Sequence, residues 1–139
     1  MNTLLNKITT NKGMARVWMQ NALFLEPNGF GANEVYYRFT RGDSIILESA
    51  EKKIRDGQRL DKDYRLKHSL NKHKTCVKVS KTTRGGCTID ILAQPMSNFI
   101  LDTLGCKLED IASNDIFINC KATTSDNHKA LKLQIKEVA

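Results

Sequence analysis

The densest chemistry in this sequence is a run of cations. Residues 51–75 hold nine basic side chains, Lys52, Lys53, Arg55, Arg59, Lys62, Arg65, Lys67, Lys72 and Lys74, against four acids, Glu51, Asp56, Asp61 and Asp63. This stretch therefore carries +5 of a whole-chain formal charge of +7. Clustered ammonium and guanidinium groups release the counterions condensed on a phosphate backbone, and affinity gained that way falls as salt rises. Lys78, Lys81 and Arg84 follow closely and extend the cationic set. The competing reading is a solvated charged connector, the commonest use of such a run.

Other reactive groups are sparse. Gly29-Phe30-Gly31 is not followed by Gly-Lys-Ser, and no G-x-S-x-G elbow occurs, so neither a phosphate loop nor a serine hydrolase is indicated. Asp90, Asp102, Glu109 and Asp110 can be imagined around a nuclease metal, but acids near helix ends usually serve as caps and solvated faces. Cys76, Cys87, Cys106 and Cys120 contain no C-x-x-C pair, and they read as small apolar fillers of strands. His68, His73 and His128 read as exposed, with no zinc spacing to a cysteine. No cofactor and no metal are expected. Trp18, Tyr36, Tyr37 and Tyr64 can stack bases, yet the first three fall in strand-like runs where packing is the ordinary role.

The elements that position these groups follow from periodicity. With 139 residues, 40% of them hydrophobic, the chain suits one compact domain or two small lobes sharing a core. No window has the eighteen or so apolar residues of a membrane helix and the N-terminus lacks a signal-peptide core, so a cytoplasmic location is expected. Residues 15–19 alternate, with Ala15, Val17 and Met19 on one face and Arg16 and Trp18 on the other. A helical turn over 22–25 follows, ended at Pro27-Asn28-Gly29, and then strands over 35–39 and 44–47 joined by a tight turn at Gly42.

The order strand, helix, hairpin then recurs. Residues 76–80 form a strand, and 85–91 form another with Cys87, Ile89 and Ile91 on one face. A helix starts near Pro95 and stops at Gly105, with Met96, Phe99, Ile100, Leu101 and Leu104 as its apolar side. KLEDIA makes a short turn, and strands over 115–120 and 130–135 flank a polar turn over 123–128. The division is a first unit over 1–50, a basic connector over 51–75 and a second unit over 76–139. Neither unit has enough apolar residues for its own core, so strands of one are expected to complete the sheet of the other.

The run Lys12-Gly13-Met14-Ala15-Arg16-Val17-Trp18-Met19-Gln20, then Leu25, Gly29-Phe30 and Tyr36-Tyr37, resembles the AbrB/SpoVT and SymE-like swapped-hairpin family. Within that group it is most similar to the duplicated segment preceding some bacterial and phage cytosine methyltransferase domains. Val77 to Ser80, Gly86 and Thr88-Ile89-Asp90-Ile91 carry the matching pattern in the second half. The methyltransferase catalytic domain is absent from these residues, and the basic connector and residues 107–114 lie outside the pattern. The resemblance implies a mainly β, α+β fold in which two strand-helix-hairpin units interlock as a small barrel. It also implies DNA contacts from the first strand and nearby loops, here Lys12 and Arg16 in one unit and Lys81 and Arg84 in the other.

Charge and resemblance together give the expected function: a non-catalytic nucleic-acid-binding regulator or accessory protein of bacterial or phage type, acting on duplex DNA as a monomer or homodimer. The expected contacts are Lys12, Arg16, Lys52, Lys53, Arg55, Arg59, Arg65, Lys67, Lys78, Lys81 and Arg84. One alternative is a protein-binding inhibitor or adaptor of a host defence complex, of anti-CRISPR or anti-restriction type. A further one, implied by the SymE resemblance, is an RNA-cleaving toxin.

Overall fold

A computed structural model describes residues 3–19, 22–31, 34–49, 76–81, 86–125 and 128–136. The strands are β1 (Thr3–Asn11), β2 (Met14–Met19), β3 (Val35–Arg41), β4 (Ser44–Ser49), β5 (Cys76–Lys78), β6 (Ser80–Lys81), β7 (Cys87–Ile91), β8 (Phe117–Ser125) and β9 (His128–Lys136). Among the described residues the helices are α1 (Ala22–Leu25), α2 (Gln94–Leu104) and α3 (Leu108–Ser113). The chain is thus mainly β with short helices. No helix among the described residues is long and apolar enough to cross a membrane.

Every strand pairing among the described residues is antiparallel, and the sheet order is β5-β3-β4-β9-β8-β1-β2-β7-β6. The two end strands are consecutive pieces of one stretch, interrupted only at Val79, whose N–H donates to the Glu34 carbonyl at 2.9 Å. The order of neighbours therefore returns to the segment where it began, and the sheet curls round its core. Hairpins from the two ends of the sequence alternate within it: β3 and β4 lie between β5 and β9, and β1 and β2 lie between β8 and β7.

Local chemistry explains the hairpins. Asn11 faces Met14 across a two-residue loop in which Lys12 (φ 53°) and Gly13 (φ 73°) are both left-handed, as a type I′ turn requires. Arg41 faces Ser44 across Gly42-Asp43, where only Gly42 (φ 61°) is left-handed, matching a type II′ turn. Strand β1 departs from the sequence reading, which placed no element before residue 12. Its pattern is inverted at two places: Leu5 points outward, 60% exposed, while half-buried Asn6 turns its Nδ2 to the Trp18 carbonyl at 3.3 Å. Pairing of β8 with β9 also runs further than expected, as far as Ser125 opposite His128, because Thr123 and Thr124 extend the strand despite their polarity.

The core is the inner face of the curled sheet. Ala15, Val17 and Met19 on β2, Cys87, Ile89 and Ile91 on β7, and Leu131, Leu133 and Ile135 on β9 are all buried, at the period of two expected for strands. Helix α2 closes against β2 through Met96, Ser97 and Ile100. Ser97 lies outside the apolar set of this helix, and its Oγ accepts the Ala15 N–H at 2.9 Å in a buried setting. Strand β7 ends at Ile91, opposite Val17, so it cannot supply a partner to Ala15. Ser97→Ala is expected to cost about 1–3 kcal/mol because it strands a buried donor. Urea unfolding measures this, and a change below about 0.5 kcal/mol would show that the hydroxyl is dispensable.

Candidate nucleic-acid interface

The strand register sorts the expected contacts by place. Lys12 is exposed at the tip of the β1–β2 hairpin, and Lys81 is exposed on β6 opposite Cys87. Since β7 pairs with Met19 through Ile89, Cys87 lies beyond the far end of β2 from Lys12. The length of β2, about 17 Å at ~3.3 Å per residue, separates these two cations along the sheet. Only the backbone of Lys78 is described, in β5. Lys52, Lys53, Arg55, Arg59, Arg65, Lys67 and Arg84 lie outside the described residues.

Arg16 is committed to a partner. On the outward face of β2, its Nε and Nη2 donate to the two oxygens of Asp90 on β7 at 2.9 and 3.0 Å, and its guanidinium carbon sits 4.6 Å from the centre of the Trp18 ring. Hydrogen bonding to Asp90 raises its pKa, outweighing the partial desolvation that opposes it. The bidentate geometry holds the guanidinium plane in place and cancels most of its charge locally. Arg16 is therefore an oriented flat group more than a free phosphate contact. Trp18 is 43% exposed, so of the three strand aromatics it departs from the packing expectation. Tyr36 is buried, its ring 5.4 Å from that of Phe30.

Two cations that sequence reasoning did not single out stand together. Lys121 on β8 is directly opposite Lys132 on β9, and both are exposed on the outward face. Neither enters an ion pair among the described residues, although Lys132 is near enough to Asp43 to help lower its pKa, behind hydrogen bonds from Gln134 and Ser44. Like charges opposite one another on a sheet are destabilising. The strands were legible in the sequence, but the opposition depends on register, and the expected turn over 123–128 placed the pairing differently.

Glu34 and Lys129 have a structural role. Glu34 accepts from the Gly31 N–H at 2.8 Å, the Tyr36 hydroxyl at 2.9 Å and Lys129 Nζ at 2.7 Å, and Lys129 also donates to the Gly29 carbonyl. Desolvation is the largest single influence on Glu34 and pushes its pKa up, but these hydrogen bonds and the Lys129 charge together bring it below the ordinary value. Because the network ties the loop after α1 to β9, it joins sequence-distant parts of the sheet. Gly29, Phe30 and Tyr36, which carry part of the family resemblance, thus belong to a packed joint.

The acids considered for a nuclease centre sit on three different elements, β7, α2 and α3. Asp90 holds Arg16, and Asp110 accepts the Lys107 N–H at 2.9 Å, capping α3. Among the described residues, no group of three His, Cys, Asp or Glu side chains could hold a metal ion. Cys87 and Cys120 are buried, and burial pushes the Cys120 thiol up to about 12, which suits an inert filler of the core. No known protein family, curated protein or solved structure matches this chain.

Proposed function

We propose that this protein binds nucleic acid through its phosphate backbone as a non-catalytic regulatory or accessory factor, on a fold built from two AbrB-like units. The observation that carries the reading is the distribution of cations. Lys12, Lys81, Lys121 and Lys132 are exposed and enter no ion pair among the described residues, while residues 51–75 add a further +5 in the sequence. Cations left without carboxylate partners retain their full attraction for phosphate.

A salt titration tests this. The protein is expected to bind a random 20-base-pair duplex at low salt, with log affinity falling linearly as log salt rises. Replacing Lys12 and Lys81 together by Gln should reduce the slope by about 1.8, at ~0.9 per phosphate contact. An undetectable interaction at low salt, or one indifferent to salt, would overturn the reading. The protein-binding alternative draws on a different observation: Leu5 and Trp18 are the exposed large hydrophobic residues among the described ones, and Trp and Arg are among the side chains that most often dominate protein interfaces.

A further inference from the structure

The outward side chains of β2, β1, β8 and β9 form one continuous face, because those four strands are neighbours in that order. Arg16 faces Thr9, so Trp18 is level with Lys7, whereas Lys121 faces Thr3, four residues further along β1. Trp18 and Lys121 are therefore two strand spacings apart across the sheet and four residues apart along it, roughly 16 Å. Between them lie Leu5 and Asn119, a cross-strand pair, and Lys7, which is held by Asp115 at 2.9 Å.

We propose that this face is a site for single-stranded nucleic acid, in which a base stacks on the Arg16–Trp18 layer and the neighbouring backbone crosses the Lys121–Lys132 pair. The inference rests on the nucleic-acid reading and narrows it to one face and one form of ligand. Two independent features point the same way. Trp18 keeps 43% of its surface exposed while the guanidinium lying over its ring, 4.6 Å from the centre, is fixed by Asp90, giving a preoriented stack of planar groups of the kind unpaired bases add to. Lys121 and Lys132 repel each other in the free protein, and a bridging phosphate converts that repulsion into attraction for both.

Three of the acids around this face are already engaged. Asp90 and Asp115 each already hold a cation, and Asp43 is engaged by Gln134 and Ser44 as well as feeling Lys132. A base within duplex DNA has its faces covered by its neighbours in the stack, so a flat group on an outward sheet face reaches bases only when they are unpaired.

Trp18 is the chain's only tryptophan, so its fluorescence reports on the site directly. Titration with a dT 20-mer at low salt is expected to quench it with the same midpoint as the anisotropy of the labelled oligonucleotide. A 20-base-pair duplex and inorganic polyphosphate should bind without quenching. Trp18→Leu should weaken dT binding about tenfold or more and leave duplex binding unchanged. The Lys121→Gln, Lys132→Gln double variant should lower the single-strand salt slope by about 1.4, at ~0.7 per contact, without lowering the melting temperature.

Binding of dT with unquenched Trp18 fluorescence would overturn the site and leave the general nucleic-acid reading standing. So would equal losses of duplex and single-strand affinity in Trp18→Leu, or an unchanged slope in the lysine variant. Failure of both duplex and dT to bind at low salt would overturn both readings and leave the Trp18 and Leu5 face to a protein partner.

Discussion

A chain cut between Gly57 and Gln58 is expected to yield two fragments that do not fold apart and refold together when mixed. The reason lies in the order of the sheet. The first fragment supplies the β1–β2 and β3–β4 hairpins, which never touch one another as sheet neighbours: each is bordered on both sides by strands of the second fragment. Alone, that fragment is two separate hairpins with four unpaired edges, and an isolated two-stranded hairpin is at best marginally stable in water. The second fragment loses equally: β9 lacks β4, β8 lacks β1 and β7 lacks β2.

Both fragments should give coil-like circular dichroism separately, and an equimolar mixture should recover the strand signal and a cooperative melt. Loop-closure entropy lost by cutting is replaced by a bimolecular cost, so recovery should depend on concentration. A cooperative melt from either fragment alone would contradict the alternating arrangement. The outcome also decides how the pseudo-repeat is understood, since repeated units that fold separately have no need to share a sheet.

Much of this architecture can be read from residue types because alternation is a local signal. Ala15, Val17 and Met19 face inward and Arg16 and Trp18 outward, as their spacing implies, and Cys87, Ile89 and Ile91 behave alike. Strand β1 was illegible for a physical reason. Leu5 faces outward and stays 60% exposed, whereas Asn6 faces inward and is compensated elsewhere in the sheet, its Nδ2 donating to the Trp18 carbonyl. Ser97 shows the same limit. Its value comes from a backbone N–H 82 residues away, which no helix pattern reveals.

The candidate site was less legible than the fold, because its chemistry depends on which residues become neighbours. A scan for cations finds Arg16, but it cannot see that Asp90, 74 residues away, neutralises and orients it. The same scan gives Lys121 and Lys132 no special standing, since they are single charges in otherwise unremarkable strands. Pairing makes them a cluster. Residues 51–75 hold most of the net charge in sequence, whereas register adds a second, structurally defined location on the sheet.

That location stands or falls with the register of β9, and a pair of substitutions one residue apart measures it. Leu133 is fully buried between Ile45 on β4 and Cys120 on β8, so Leu133→Ala removes contacts to both parts of the chain and leaves a cavity. The expected loss is about 2–5 kcal/mol, a large share of a total stability of about 5–15 kcal/mol. Lys132→Ala should change stability by no more than about 0.5 kcal/mol. Its sign should be favourable if anything, because removing one ammonium relieves the repulsion with Lys121. Denaturant unfolding of both variants resolves the contrast. A slip of one residue would exchange every inward and outward side chain of β9, so the costs would be reversed, with Lys132→Ala the damaging change. The expected order is therefore a severe loss at Leu133 beside a neutral or stabilising change at Lys132, and the proposed binding face requires that order because it needs Lys132 to point outward while Leu133 points into the core.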